Sequence, residues 1–263
     1  MTFRVAIRRA AIGALSVLVF ALASSALMPR LAAADSSPPP SSAMPQDRAA
    51  LDRAIHDYLM NHPDVVLDAL KAGQQQADAN AAEQSRRTII SKRKELIDDP
   101  DDLVQGNPKG DVTLVEFFDY RCPYCKEVEP ALDALLKEDG KLRIVYKEFP
   151  ILGEASVYAT HVALAAEKQG KYAEFHRAMM ATKGNIDDAT VLSVAASIGL
   201  DMTKLKADMT AAATDKLIDK NYALADSLNI QGTPAIIIGD TLIPGATDID
   251  SLRKDIAALR KSG

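Results

Sequence analysis

Both cysteines of this 263-residue chain fall in one tetrapeptide, Cys122-Pro123-Tyr124-Cys125, directly after the apolar run Val112-Thr113-Leu114-Val115-Glu116-Phe117-Phe118. Such a run reads as a buried strand, and the stretch from Cys122 to Glu138 carries Cys125, Val128, Leu132 and Leu135 at helical spacing. The chain must therefore fold so that a strand hands over to a helix with two thiols at the turn. In that setting a two-residue spacing reads as a redox pair. Unpaired N–H groups and the macrodipole at the amino end of the helix favour an anion at Cys122, and Arg121 adds a neighbouring positive charge. Cys122 is thus the expected attacking sulfur. Cys125, one turn further in, is the expected shielded partner that resolves a mixed disulfide.

Other uses of two thiols fit less well. A structural disulfide between cysteines so close would remove little entropy from the unfolded chain. A zinc site needs four ligands, and there is no second cysteine pair. Two-coordinate Cu(I) stays open beside redox chemistry, because soft sulfur ligands select that ion. With 48% hydrophobic and 25% charged residues and a formal charge of −5, the chain has ample core material and no basic footprint for nucleic acid. Aromatic residues at 5%, with no Trp, offer no stacking platform either.

Arg4, Arg8 and Arg9 precede an apolar run from Ala10 to Met28, and Ala32-Ala33-Ala34 follows before Asp35. Residues 1–34 are therefore expected to form a cleavable export signal that delivers the chain to an oxidising compartment. An uncleaved membrane anchor is the alternative, since the run approaches spanning length, although Ser16, Ser24 and Ser25 interrupt it. Arg8-Arg9 also permits twin-arginine export. Residues 35–46, rich in Ser and Pro, read as a flexible linker.

Residues 47–99 form an expected helical extension. Leu51, Ile55, Tyr58 and Leu59 share one helix face, Asn61-His62-Pro63-Asp64 reads as a stop and a new start, and Val66, Leu67 and Leu70 belong to the next helix. From Gly73 to Arg87 the apolar content is thin, so the segment is either a solvated, partly frayed linker helix or a stripe lent to another subunit through residues 47–98. His56 and His62 have no ligand cluster around them and read as surface or capping residues. Beyond Cys125, strands are expected at Leu142–Phe149, Ala235–Ile238 and Thr241–Ile243, with about seventy residues of helix before the third strand and a last helix from Asp248 to Lys261. Pro130 is expected to bend the helix that carries the thiols. His161 and His176 fall in apolar-rich helical stretches and read as packing or surface residues.

Val-Glu-Phe-Phe-Asp-Tyr-Arg-Cys-Pro-Tyr-Cys-Lys at 115–126, with Gly232-Thr233-Pro234-Ala235 after a helical block, resembles the periplasmic DsbA-type thiol-disulfide oxidoreductases. The resemblance implies an α/β thioredoxin fold over residues 103–263, with a helical insertion at about 153–229. It implies a cis Thr233-Pro234 beside the redox pair, where substrate backbone is held, and a buried acid at Glu116 that exchanges a proton with Cys125. Glu116 as an exposed strand residue is the competing reading, and Lys147 on the next strand is a candidate partner for it. Pro123-Tyr124, the redox-tuning dipeptide, departs from the Pro-His of strongly oxidising members, so a less oxidising pair is expected. The sequence around Ile55 to Leu70 resembles the amino-terminal extension of suppressor-of-copper-sensitivity C proteins.

Three functions follow. The first is a thiol-disulfide oxidoreductase that forms disulfides in exported proteins, needs no cofactor beyond its own disulfide, and is recharged by a membrane redox partner. The second is an oligomeric isomerase or reductase acting on misoxidised clients. The third is a copper-binding protein of the periplasm.

Overall fold

Residues 47–209 and 212–262 are described in the computed structural model. The export signal and linker expected over residues 1–46 lie outside the described residues. Strand β2, Val112–Phe118, is the centre of a five-stranded mixed sheet. It pairs in parallel with β3, Leu142–Glu148, so that Val112 lies opposite Leu142 and Phe118 opposite Glu148. On its other side it pairs antiparallel with β4, Ala235–Ile238, with Leu114 opposite Ile238. The edges are β1, Leu103–Gly106, antiparallel to β3, and β5, Thr241–Pro244, antiparallel to β4. A parallel pair needs a crossover, and α4, Pro123–Glu138, supplies it. Pro130 sits inside that helix, which runs on through it.

Alternation along β2 sends its side chains into two cores, as a central strand covered on both faces requires. Val112, Leu114 and Phe118 join Ile144, Tyr146 and Ile236 under α4. Helices α5, Glu154–Glu167, and α6, Tyr172–Ala181, close over the same core, as does α10, Ile249–Ser262. Val115 and Phe117 point the other way, with Val145, Phe149 and Ile237, onto α9, Ala212–Ser227. Helices α7, Asp188–Ser197, and α8, Met202–Asp208, complete the insertion between β3 and β4. Asp187 and Asp201 cap them by accepting N–H bonds from Thr190 and from Thr203 and Lys204.

The chain divides into two units at Asn61/His62. The described part of the first is α1, Arg48–Asn61, which has no buried residue. In the second unit α2, Pro63–Ser91, is one unbroken helix of 29 residues. Its residues 63–82 are all exposed, as a solvated helix is, and it runs without a break to Ile89, which with Leu96 on α3, Arg93–Ile97, is buried in the second core.

Candidate active site

The turn between β2 and α4 is tied down by a buried acid. Asp119 accepts N–H bonds from Arg121 at 2.7 Å and from Leu152 at 2.9 Å, and an O–H bond from Ser156 at 2.8 Å. Its carbonyl accepts the Cys122 N–H at 3.0 Å. The turn is thereby fixed against the 150–156 loop, and Cys122 becomes the N-cap of α4 with Pro123 at the first helical position. From the far end of the chain, 111 residues on, the Thr233 carbonyl accepts from the Cys122 thiol at 3.1 Å. The Thr233-Pro234 peptide is cis. The structure thus brings Cys122, Cys125, Pro123, Tyr124, Thr233 and Pro234 to one place.

The two sulfurs differ sharply. Cys122 exposes 4% of its surface and Cys125 none, while Tyr124 between them is 60% exposed. Hydrogen bonding from Cys125 is the largest influence on Cys122 and lowers its thiol from 9.0 to about 6 against the opposing effect of burial. Thr233 and the amides of Cys125 and Tyr124 add to the lowering. Burial is the first cause that drives Cys125 the other way, far above the ordinary thiol range, with the Cys122 hydrogen bond and the nearby Glu116 adding to it. The Arg121 guanidinium, next in sequence to Cys122, donates to the Leu152 carbonyl.

Glu116 is fully buried on the face that carries Leu114 and Phe118, and the reading of it as an exposed strand residue fails. Both carboxyl oxygens lack a protein partner among the described residues. Burial raises its pKa well above the ordinary range, and Glu129, Cys122 and Glu148 push it further. Lys147 is not its partner. The register sets Glu116 opposite Tyr146 and Phe117 opposite Lys147, so Lys147 points to the other face. There it donates to the Asp102 carboxylate and to the Glu95 carbonyl, the latter at 2.8 Å.

A polar network that the sequence did not reveal lies beside Glu116. Glu148 at the end of β3 accepts O–H bonds from Tyr120 at 3.0 Å, Tyr172 at 3.3 Å and Thr160 at 2.8 Å, and burial lifts its carboxyl to about 8 despite them. Both tyrosine hydroxyls lie 3.4 Å from His176 Nδ1, and His176 Nε2 meets Glu129 Oε2 at 3.2 Å. His176 is fully buried. The one signal for Glu129 was its spacing, four residues after Cys125 on the buried face of α4. His161 is elsewhere, bonded to the Met209 carbonyl. Among the described residues no group of three or more His, Cys, Asp or Glu could hold a metal ion.

A low-pKa sulfur at a helix start, a buried mate one turn on and a carbonyl against the first sulfur, all on a mixed sheet, define a thioredoxin-fold protein of the thiol-disulfide oxidoreductase class. The chain belongs to the DSBA-like thioredoxin domain family, whose model matches residues 113–257, more than half its length. A second model, the Copper resistance protein ScsC N-terminal domain, matches residues 47–79. A thioredoxin-like oxidoreductase from Silicibacter pomeroyi is 43% identical, with a TM-score of 0.64 over 65% of this chain and 99% of that one. The catalytic domain of Proteus mirabilis ScsC is 30% identical, with a TM-score of 0.61 over 66% and 97%. Disulfide bond formation protein D of Bacillus subtilis is 26% identical over 58% of this chain and 74% of its own length. The Na(+)/H(+) antiporter NhaA 1 of Salinispora arenicola is 30% identical over 63% of this chain, but the match spans only 27% of the antiporter.

Proposed function

We propose that this protein exchanges disulfides with the cysteines of exported proteins through Cys122 and Cys125, chiefly donating its own disulfide. The single observation that carries the reading is the opposite displacement of the two thiols, Cys122 down to about 6 and Cys125 upward. A client thiolate attacks Cys122; the S–S bond breaks, and Cys125 departs as a thiolate that takes its proton from Glu116. A second client thiolate then attacks the client sulfur of the mixed disulfide, and Cys122 leaves as a thiolate. A low-pKa sulfur is a good leaving group, so the reduced protein is favoured and the client ends oxidised. The two sulfurs carry the electrons, and this chemistry needs no bound cofactor. Thr233 and Pro234 are the residues against which client backbone would lie. Export by cleavage after residues 1–34 and recharging by a membrane redox partner belong to the same reading. No helix among the described residues is long and apolar enough to cross a membrane.

A second reading, an oligomeric isomerase built through residues 47–98, is favoured by exposed apolar side chains. Ile55, Tyr58 and Met60 on α1 are 49%, 54% and 70% exposed, and on α2 the match to the ScsC model takes in Leu67 and Leu70, also exposed. Equilibration of the Cys122–Cys125 disulfide with glutathione separates the readings. A potential near about −120 mV favours the oxidase, and one near about −180 mV, on a protein whose mass in solution exceeds one chain, favours the isomerase. A potential near about −270 mV or below would count against disulfide donation.

A further inference from the structure

Arg121 and Pro123, the residues on either side of Cys122, belong to the wall of a cavity of about 650 Å³, a volume within the range of ligand sites. Lys126 on α4, Arg177 on α6 and Lys183 just beyond it line the same space. The acids there are Asp133 and Glu129, whose Oε2 meets His176 Nε2 at 3.2 Å. Four cations thus face two acids in a chain whose formal charge is −5. Among the described residues none of the four forms an ion pair. Backbone carbonyls steady three of them: Arg121 donates to Leu152, Lys126 to Thr182, and Arg177 Nε to Ala173 at 3.2 Å. Each keeps further N–H donors that those carbonyls do not use. Lys126 is half-buried, and burial lowers its pKa because its charge has lost hydration that no anion replaces. The carboxyl end of α6 forms part of the wall, but its dipole carries only about half a negative charge, too little to balance four cations.

We propose that this cavity is a specificity site for the client, taking an Asp or Glu side chain two or three residues from the reacting cysteine, an inference that rests on the disulfide-exchange reading. The spacing follows from the helix. Lys126 lies one turn, about 6 Å, along the same face of α4 as Cys122. A client strand running along that face advances about 3.3 Å per residue, so its second residue from the cysteine comes abreast of Lys126. A carboxylate held there aligns the client while its thiolate bonds to Cys122 and the Cys122–Cys125 bond breaks, leaving its electron pair on Cys125. The site speeds acidic clients through encounter and orientation and leaves the sulfur chemistry as it is. Net charge acts in the opposite sense. A chain of charge −5 repels an acidic client as a whole, so a preference for one has to arise at a local cluster such as this.

The experiment pairs the oxidised protein with two dithiol peptides that differ only in carrying Asp or Lys two residues from each cysteine. Loss of peptide thiol is followed by acid-quenched labelling. Every rate is divided by that peptide's rate with hydroxyethyl disulfide, which removes the effect of the flanking charge on the peptide thiol itself. The Asp peptide should react about tenfold faster at about 20 mM salt and only about twofold faster at about 500 mM, where the charges are screened. Lys126→Gln, which keeps a donor for Thr182, and Arg177→Gln should each lower the ratio about two- to fivefold, the worth of one exposed ion pair. Arg177→Glu should bring it to about one, and Lys254→Gln, on α10, should leave it unchanged. Uncharged iodoacetamide should alkylate Cys122 equally in all of them, since the site acts on the client and not on the thiol. A parent ratio near one, a parent ratio indifferent to salt, or a ratio that survives Arg177→Glu overturns the proposal. The salt dependence of the parent decides alone should a variant fail to fold. If neither peptide exchanges, the disulfide-exchange reading fails, and fluorescence anisotropy with serine in place of the peptide cysteines judges the cavity: tighter binding of the Asp peptide, lost in Arg177→Glu, upholds it, and equal binding overturns it.

Discussion

Replacing Cys125 tests the strongest electrostatic claim made by the site. The hydrogen bond from Cys125 is the largest influence that lowers Cys122 from 9.0 to about 6. A hydrogen bond to a charged group contributes roughly 1.5–3 kcal/mol. At about 1.36 kcal/mol per pKa unit, its loss in Cys125→Ala should raise Cys122 by roughly one to two units, to between about 7 and 8. Cys125→Ser keeps an O–H donor at the same point and should stay within about half a unit of the parent. At pH 7 the thiolate fraction then falls from about 90% to roughly 10–50% in the Ala variant, and the rate of alkylation falls with it. The assay is iodoacetamide alkylation of the reduced proteins from pH 4 to 10, with ultraviolet thiolate absorbance alongside. A parent thiol that ionises near 9.0, or parent and Ala curves that superimpose, would refute both the assignment of the donor and the view that this sulfur is poised as an anion.

Three further outcomes follow from buried charge. Glu116→Gln should slow opening of the disulfide roughly a hundredfold, as loss of a positioned acid does, without moving the Cys122 alkylation profile; an unchanged rate would remove Glu116 from the mechanism. Glu148 is raised from 4.5 to about 8, so its burial costs the fold stability as pH rises through that interval, where the unfolded chain has already released the proton. Urea unfolding should show Glu148→Gln gaining on the parent between pH 5 and 8, by at most roughly 5 kcal/mol, and no pH-dependent gain would refute the shift. Lys147→Met strands the buried Asp102 carboxylate and should cost about 3–5 kcal/mol at pH 7. Asp102 stands at about 6 because burial outweighs the Lys147 charge, so the cost should shrink towards pH 5, where the acid is neutral; equal costs at both pH values would count against the pair.

What could be read from the chain was whatever local periodicity encodes. The uninterrupted apolar run of β2 announced a central strand, the spacing of Cys125, Val128, Leu132 and Leu135 announced the buried face of α4, and Asn61-His62-Pro63 marked a helix boundary. Strand β1 was missed because Leu-Val-Gln-Gly has neither length nor alternation and is defined by pairing with β3; a Cβ on Gly106 would sit 2.5 Å from the Leu142 carbonyl oxygen. The Lys147 error has a similar origin. Which face a strand residue occupies depends on its parity in the register, and parallel register is set by partners far away in sequence. The burial of Ile89 could not be read from the chain, because the sheet face that covers it is not visible from α2 alone. Glu148 and the partners of Glu129 were hidden for the plainest reason, that a single acid in an amphipathic segment reads as solvated until its neighbours are known, whereas His176, read as packing or surface, is fully buried.

Those three residues change how the division of labour between the sulfurs is understood. The helix start explains why an anion is tolerated at Cys122, but it lies within one turn of Cys125 as well, so position on α4 cannot alone set the two thiols so far apart. The difference comes from what surrounds each one. Cys122 touches the edge of solvent and faces donors, whereas Cys125 has no exposure and lies beside the acid Glu116, which is itself crowded by Glu129 and Glu148. Carboxyls buried this closely cannot all ionise at neutral pH, and at least one keeps its proton. In the exchange we propose, that stored proton is what a thiolate expelled at Cys125 needs, and once it has moved, the carboxylate left behind resists renewed ionisation of the thiol. The burial that penalises the fold therefore also sets the direction in which the pair relaxes after each exchange.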